Sequence, residues 1–199
     1  MLFAETLAAL GGGYEIRDCS FTEDTFDGTA EHLIFCGVTF QRCRFSGTDF
    51  FSAEFSGCRF VGCDLSNCRF SEGFFSHTVF EETKAVGADF TRCVLRDVTV
   101  TDTAFRFANF AGTKWDHVTA RESSFVEASI TGVTLRAVTF TDCDLTRAEL
   151  FRTPLRGIDL RTDVIRGITV SEHFAELRGA VVDELQAVEL ARFLGVEIK

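Results

Sequence analysis

The chain has 199 residues and a formal net charge of −10, from 30 acidic and 20 basic residues; 23 residues are Phe, against one each of Tyr, Trp and Pro. An acidic balance of that size argues against nucleic acid as a ligand, because phosphate contacts need clustered Lys and Arg. No apolar run approaches the ~20 residues that span a bilayer, and Met1 to Glu5 lacks the basic region of a secretory signal. The expectation is therefore a cytoplasmic, membrane-free protein of one domain.

In chain order, residues 1–13 read as an N-terminal cap. MLFAETLAAL can form a short helix, stopped by Gly11-Gly12-Gly13. A helix this short is marginal alone, so it is expected to pack over whatever follows. Ile16, Phe21 and Phe26 then open a five-residue rhythm. One residue is missing from the phase between Phe26 and Phe35, which makes residues 27–31 an irregular corner.

From Phe35 to Val170 every fifth residue is a centre. Of 28 such positions 26 are large and apolar, and the residue two before is small (Ala, Cys, Gly, Ser, Thr or Val) in 24. Neither a helix of period 3.6 nor a strand of period 2 holds that phase. A fixed short period marks a repeat architecture, with a small and a large residue of each five pointing inward. Seven of the eight cysteines occupy the small inward slot (Cys19, Cys43, Cys58, Cys63, Cys68, Cys93 and Cys143) and read as buried thiols acting as small hydrophobes. Cys43 and Cys63 are expected to stack about 5 Å apart, within reach of a disulfide, though a reducing cytosol opposes one. Asp163 also falls in the small slot, where it reads as fraying of the repeat.

After Val170 the phase ends. Asp183 to Leu194 reads as an amphipathic helix capped by Asp183 and stopped by Gly195, and Val196 to Ile198 can add a last strand.

The recurrent Cys/Thr/Ala-x-Phe/Leu-x-x unit, as in Cys58-Arg59-Phe60, Cys63-Asp64-Leu65 and Cys68-Arg69-Phe70, resembles the pentapeptide-repeat family. The resemblance implies an all-β fold: a right-handed quadrilateral β-helix of about eight coils over residues 14–170, with a short C-terminal α-helical cap in residues 171–199. The ending LGVEIK is similar to the C-terminal cap of the topoisomerase-protecting members, the Qnr and mycobacterial types, which join two rods tail to tail. A homodimer through Leu185, Val188, Leu190, Phe193 and Leu194 is the corresponding expectation, with a monomeric cap as the alternative.

No catalytic constellation is present. His32, His77, His117 and His173 are scattered, and no phosphate loop, Gly-x-Ser-x-Gly or HExxH occurs. No enzyme, cofactor or metal site is expected. What remains is surface. Glu82, Asp102, Glu122 and Asp142 recur every twenty residues, so one coil per twenty residues stacks them in an acidic stripe that Glu81 and Asp159 extend. Like charges about 5 Å apart repel by about 1 kcal/mol even in water, so stability does not explain the stripe. It can meet a basic partner, or Arg106, Arg121, Arg147 and Arg161 can neutralise it. The resemblance implies a DNA-mimicking partner of a type II topoisomerase, gyrase or topoisomerase IV, which it protects from quinolones or other poisons. Against a uniform mimic, the shaft (35–170) carries only −1, while residues 1–34 carry −6. A scaffold with another protein partner, or a self-immunity factor in an antibiotic producer, are the alternatives. Exposed Phe51, Phe74, Phe107 and Phe151 offer apolar contacts.

Overall fold

The computed structural model describes residues 2–11 and 13–197. Each short extended segment pairs in parallel with the segment one coil on, so the chain climbs as a stack of four-walled coils. On the first wall Ile16, Phe35, Phe55, Phe75, Leu95, Trp115 and Leu135 lie in register. On the second wall the register runs Phe21, Phe40, Phe60, Phe80, Val100, Ala120 and Phe140. Single-residue bridges hold the third wall from Thr25 to Val164 and the fourth from Thr29 to Thr169.

Seven stacked strands make six steps, so the paired strands complete about six turns rather than the eight coils expected. Only the bridged walls reach eight levels. One reason is local: the next rung of the first wall falls on Pro154, which has no N–H to donate to the ladder. Val196 and Glu197 form no strand, and Ile198 lies outside the described residues. The phase skip is located by register. Thr25 pairs with Arg44 but Thr29 pairs with Asp49, so the missing residue is lost between Thr25 and Thr29. A β-carbon on Gly28 there would come 2.7 Å from Phe26 Cζ, which is why this corner carries glycine.

The interior is a column of rings. Along the axis they stack face to face, with centroids 4.8 Å apart for Phe35–Phe55, 4.9 Å for Phe40–Phe60 and 5.1 Å for Phe50–Phe70. Around one coil they meet edge to face, as in Phe45–Phe50 at 5.7 Å. Each fully buried ring contributes about 1.5–3 kcal/mol of burial, plus ring–ring attraction. Trp115 fills part of the space left by Ala120, its ring 6.1 Å from that of Phe140.

The small inward slot does more than save volume. Cys58, Cys63, Cys68 and Cys93 donate their thiols to the carbonyls of Phe35, Phe40, Phe45 and Phe70 in the coil before. Thr78 and Thr83 donate hydroxyls to Phe55 and Phe60 in the same way. A side chain here must be small and is best able to donate one hydrogen bond, which selects Cys and Thr. All eight cysteines are free, Cys43 and Cys63 included. Burial pushes the Cys58 thiol up to about 11 and those of Cys68 and Cys93 to about 12.

Corners are made by backbone conformation. From residue 37 to residue 157, the residue two after each centre has positive φ, whether glycine or not. Its N–H bonds the carbonyl of the next coil, as from Glu82 to Thr101 and from Arg92 to Ala111. Asp, Asn, Gly and other unbranched residues tolerate this left-handed geometry. Thr162, β-branched, occupies the first corner position that departs from it.

Both ends are closed by side chains that the repeat does not supply. At the start, α1 (Phe3–Ala9) lowers Phe3 into the column, where its fully buried ring lies 5.2 Å from Phe21 and 5.1 Å from Phe45. Asp24, in a small inward slot, accepts the Phe3 N–H and the Thr25 N–H. At the other end, buried Glu176 accepts from the Arg152 N–H at 2.7 Å and from the Ser171 hydroxyl. The helix α2 (Glu184–Ala191) starts at Asp183, whose carboxylate caps the Gln186 N–H. Gln186 is the most buried residue of α2, and its Nε2 donates to the carbonyls of Leu160 and Asp163 at 2.6 and 2.7 Å. Asp163 is a buried element of this closure rather than frayed repeat. Its Oδ1 accepts the Cys143 N–H at 2.8 Å, and its Oδ2 is buried without a partner.

Two outcomes are expected. Phe3→Ala unplugs the column and costs roughly 3–5 kcal/mol in urea unfolding; a loss below 1 kcal/mol would show that Phe3 does not close the rod. Burial raises the Asp163 carboxyl from its ordinary value to about 6, so ionising it disfavours the fold. Stability relative to Asp163→Asn is then greatest below about pH 4, falls between pH 4 and 6, and stays low above. The difference is on the order of 1–2 kcal/mol after allowance for solvent near the rod end. Parallel melting-temperature profiles of the two proteins would contradict this.

Candidate functional site

The corner between the second and third walls carries Glu82, Asp102, Glu122 and Asp142, all with positive φ between 46° and 55° and all exposed. The left-handed backbone throws each carboxylate outward from the edge of the rod, one per coil. At the spacing of the interior ring stacks, neighbours are about 4.8 Å apart along the axis. Above them the column continues with Gly62, and below with Thr162.

On several other lines of the rod, charges in successive coils alternate in sign. Glu72 pairs with Arg92 at 2.6 Å, Glu127 with Arg147 at 3.5 Å, Asp49 with Arg69 at 2.6 Å and Asp64 with Lys84 at 3.7 Å. These are the cross-strand pairs expected of a stacked sheet. The acidic corner breaks that rule over four coils, and its four residues have no ion pair among the described residues.

The other expected members separate from it. Glu81 is paired with Arg59 at 2.9 Å. Asp159 is paired with Arg161 at 2.7 Å, and hydrogen bonds from that guanidinium hold its carboxyl down at about 2. Of the arginines weighed as neutralisers, Arg147 serves Glu127, Arg161 serves Asp159, and Arg106 lies over the Phe107 ring at 5.5 Å. Arg121, sequence neighbour of Glu122, forms no ion pair within 4 Å among the described residues. Of the aromatics, Phe51 is covered by Arg69, 4.3 Å from its centroid, and Phe74 is half-buried. Phe107 and Phe151 are exposed.

The C-terminal helix divides its expected contact residues. Leu190 and Phe193 pack back on the rod, with the Phe193 ring 6.1 Å from Phe174. Leu185 is 79% exposed, and Val188, one turn on in the same helix, is exposed as well. The Leu194 side chain lies outside the described residues. Asp24, Glu176 and Gln186 are absent from the sequence expectations. Asp24 had a legible signal, since it sits two before Phe26 in the slot that Asp163 also fills. Gln186 had one too, as the residue three after an Asp cap.

Among the described residues no group of three or more His, Cys, Asp or Glu could hold a metal ion, and no helix is long and apolar enough to cross a membrane. His77 lies 3.6 Å from Asp97 and His117 lies 2.9 Å from Asp116, each at a separate rung.

Two family models agree with this repeat architecture. The family described as pentapeptide repeat region matches residues 33–104 and 53–130, and that described as pentapeptide repeats (8 copies) matches residues 123–161. No curated protein sequence matches. Among solved structures, full-length QnrB1, a plasmid-mediated fluoroquinolone resistance protein, is 18% identical over 92% of this chain and 100% of its own, with a TM-score of 0.47. HetL, a pentapeptide repeat protein involved in heterocyst differentiation regulation from Nostoc sp. strain PCC 7120, is 14% identical over 92% of this chain and 98% of its own, with a TM-score of 0.43.

If the acidic corner is placed for recognition, neutralising it stabilises the rod. Asp102→Asn with Glu122→Gln is expected to raise stability by about 0.5–1 kcal/mol at low salt, and the gain should vanish near 1 M salt, where the screening length is about 3 Å. Destabilisation at low salt would mean that these carboxylates hold the corner together.

Proposed function

Because this chain belongs to the pentapeptide-repeat family, we propose that it acts by presenting a charged rod to a type II topoisomerase, binding where DNA binds and protecting the enzyme from quinolones or related poisons. The observation that carries this reading is the uncompensated corner of Glu82, Asp102, Glu122 and Asp142. One DNA strand advances about 3.4 Å per phosphate. The corner offers one carboxylate per about 4.8 Å, a sparser line of the same sign along one edge of the rod. A basic saddle shaped for a phosphate backbone would attract it, and charge complementarity would set the approach.

In this reading two rods join tail to tail through Leu185 and Val188, the apolar residues α2 leaves exposed. Leu190 and Phe193 hold that helix in place, and Leu194 belongs to the same segment. The protein works by occupancy rather than by catalysis, in the cytoplasm where topoisomerases act. A second reading is a scaffold for a different basic protein; it is favoured by the brevity of the acidic line, four coils on a shaft of nearly balanced charge.

The deciding experiment is gyrase supercoiling with and without a quinolone. The wild-type protein is expected to restore or inhibit supercoiling at micromolar concentration. The variant Glu82→Gln, Asp102→Asn, Glu122→Gln, Asp142→Asn is expected to lose roughly tenfold or more, about 1.4 kcal/mol. No effect of the wild type at tens of micromolar would end the topoisomerase reading. For the dimer, light scattering should give twice the chain mass and Leu185→Asp should halve it; a monomeric wild type would reject the tail-to-tail pairing.

A further inference from the structure

Asp163 ends a column of inward slot residues that runs from Cys43 beside the third wall, and every other member of that run gives a hydrogen to a backbone carbonyl. Cys43, Cys63 and Thr83 donate to the carbonyls of Phe21, Phe40 and Phe60 in the coil before. Thr103, Ser123 and Cys143 donate to those of Thr101, Arg121 and Thr141, two residues back. Ser123 plays two parts at once: its hydroxyl accepts the Thr103 N–H at 3.1 Å and donates to Arg121 at 2.6 Å. Asp163 reproduces the first part, because Oδ1 accepts the Cys143 N–H at 2.8 Å. Only a protonated carboxyl can reproduce the second. By the spacing of the column its acceptor is the Phe140 or the Arg161 carbonyl, and Oδ2 is the buried oxygen without a partner.

The surroundings oppose a charge at this position. Asp163 is 5% exposed and makes no ion pair among the described residues. On the coil before, Asp142 and Asp144 flank Cys143; on its own coil Asp159 precedes it. Arg161, the nearest cation in sequence, is held by Asp159 at 2.7 Å. From α2, Asp183 and Glu184 bring two more carboxylates to this end, and Arg192 at the far end of the helix is paired with Glu189 at 3.1 Å. Burial above all, then the Asp142 and Asp159 carboxylates, disfavour the ionised form against the one Cys143 N–H bond that favours it.

The helix is tied to the same spot. Gln186 Nε2 donates to the carbonyl of Asp163 itself at 2.7 Å and to that of Leu160 at 2.6 Å. Asp183 and Gln186 cap each other's N–H groups, and Gln186 is the one buried residue of α2. We propose that Asp163 is a proton-operated latch for α2. With the carboxyl neutral, the slot is satisfied and α2 seats on the last coil. With the carboxyl ionised, the buried charge is relieved by water, which reaches it as α2 lifts away. By linkage, whatever favours the charge favours the lifted helix. The latch concerns how α2 sits on its own rod, so it needs neither a topoisomerase partner nor a second copy of the chain.

The test is hydrogen exchange of the α2 amides in the full chain, wild type against Asp163→Asn, whose side chain accepts and donates as the neutral acid does. The ratio of the two proteins at each pH removes the intrinsic pH dependence of exchange. From about pH 4 to about pH 7, wild-type protection over residues 184–191 is expected to fall roughly tenfold relative to the variant, the effect of one pKa unit. The interior coils should exchange more slowly than α2 at both pH values. An unchanged ratio, or α2 exchanging only together with the coils, would overturn the proposal. Should Asp163→Asn fail to fold, the wild-type carboxyl is titrated directly by carbon NMR. A midpoint of about 6 that coincides with the loss of α2 protection supports the latch. A midpoint below about 4.5, in the ordinary carboxylate range, or α2 protection that stays unchanged through the titration, overturns it.

Discussion

A coil of twenty residues cannot satisfy its own backbone. Its N–H and C=O groups point along the axis, so each coil is complete only when it lies on another. That requirement fixes nearly everything else. It holds neighbouring coils at the spacing of paired strands, forces each inward residue to stack on its counterpart, and makes the rod regular wherever the period is unbroken. Ring stacks such as Phe35–Phe55 at 4.8 Å and Phe50–Phe70 at 5.1 Å follow from the ladder spacing as much as from aromatic attraction.

The same requirement creates two liabilities at the ends, where one face of a coil has no neighbour. The solutions are chemically parallel. A carboxylate in an inward slot accepts backbone donors (Asp24 at the start, Asp163 near the finish), and a helix supplies the missing contacts. Phe3 replaces a layer of rings, whereas Gln186 satisfies orphan carbonyls with an amide. An apolar plug suits the aromatic end. A polar clasp suits the end where Pro154 and Thr162 have already loosened the ladder.

Regular stacking also turns sequence period into surface pattern. A side chain repeated every twenty residues becomes a line along the rod at fixed spacing, so charge on a line is either alternated or cumulative. Several lines alternate, as Glu72–Arg92 and Glu127–Arg147 do. The longest run that does not is the acidic corner from Glu82 to Asp142. Because like charges so placed cost stability, this line is where the surface departs from what folding alone favours.

The five-residue period by itself determined the solenoid, the inward centres, the small slot and the stretch that skips a residue, because each is a local pattern imposed on every coil; the two terminal helices were legible separately, from the Gly11 to Gly13 stop and the Asp183 cap. The period also brought Glu82, Asp102, Glu122 and Asp142 into one line, since twenty residues make one coil. Tertiary structure alone decided which charges stay unpaired. Glu81 and Asp159 lie close to the same line in sequence, yet Arg59 and Arg161 capture them, because an ion pair depends on side-chain reach along the same wall rather than on phase. It likewise decided the ends: no period announces that Gln186 is buried or that Leu190 and Phe193 turn inward while Leu185 stays out. Those positions answer to the single unpaired face of a last coil, a constraint that exists only once the coils have stacked.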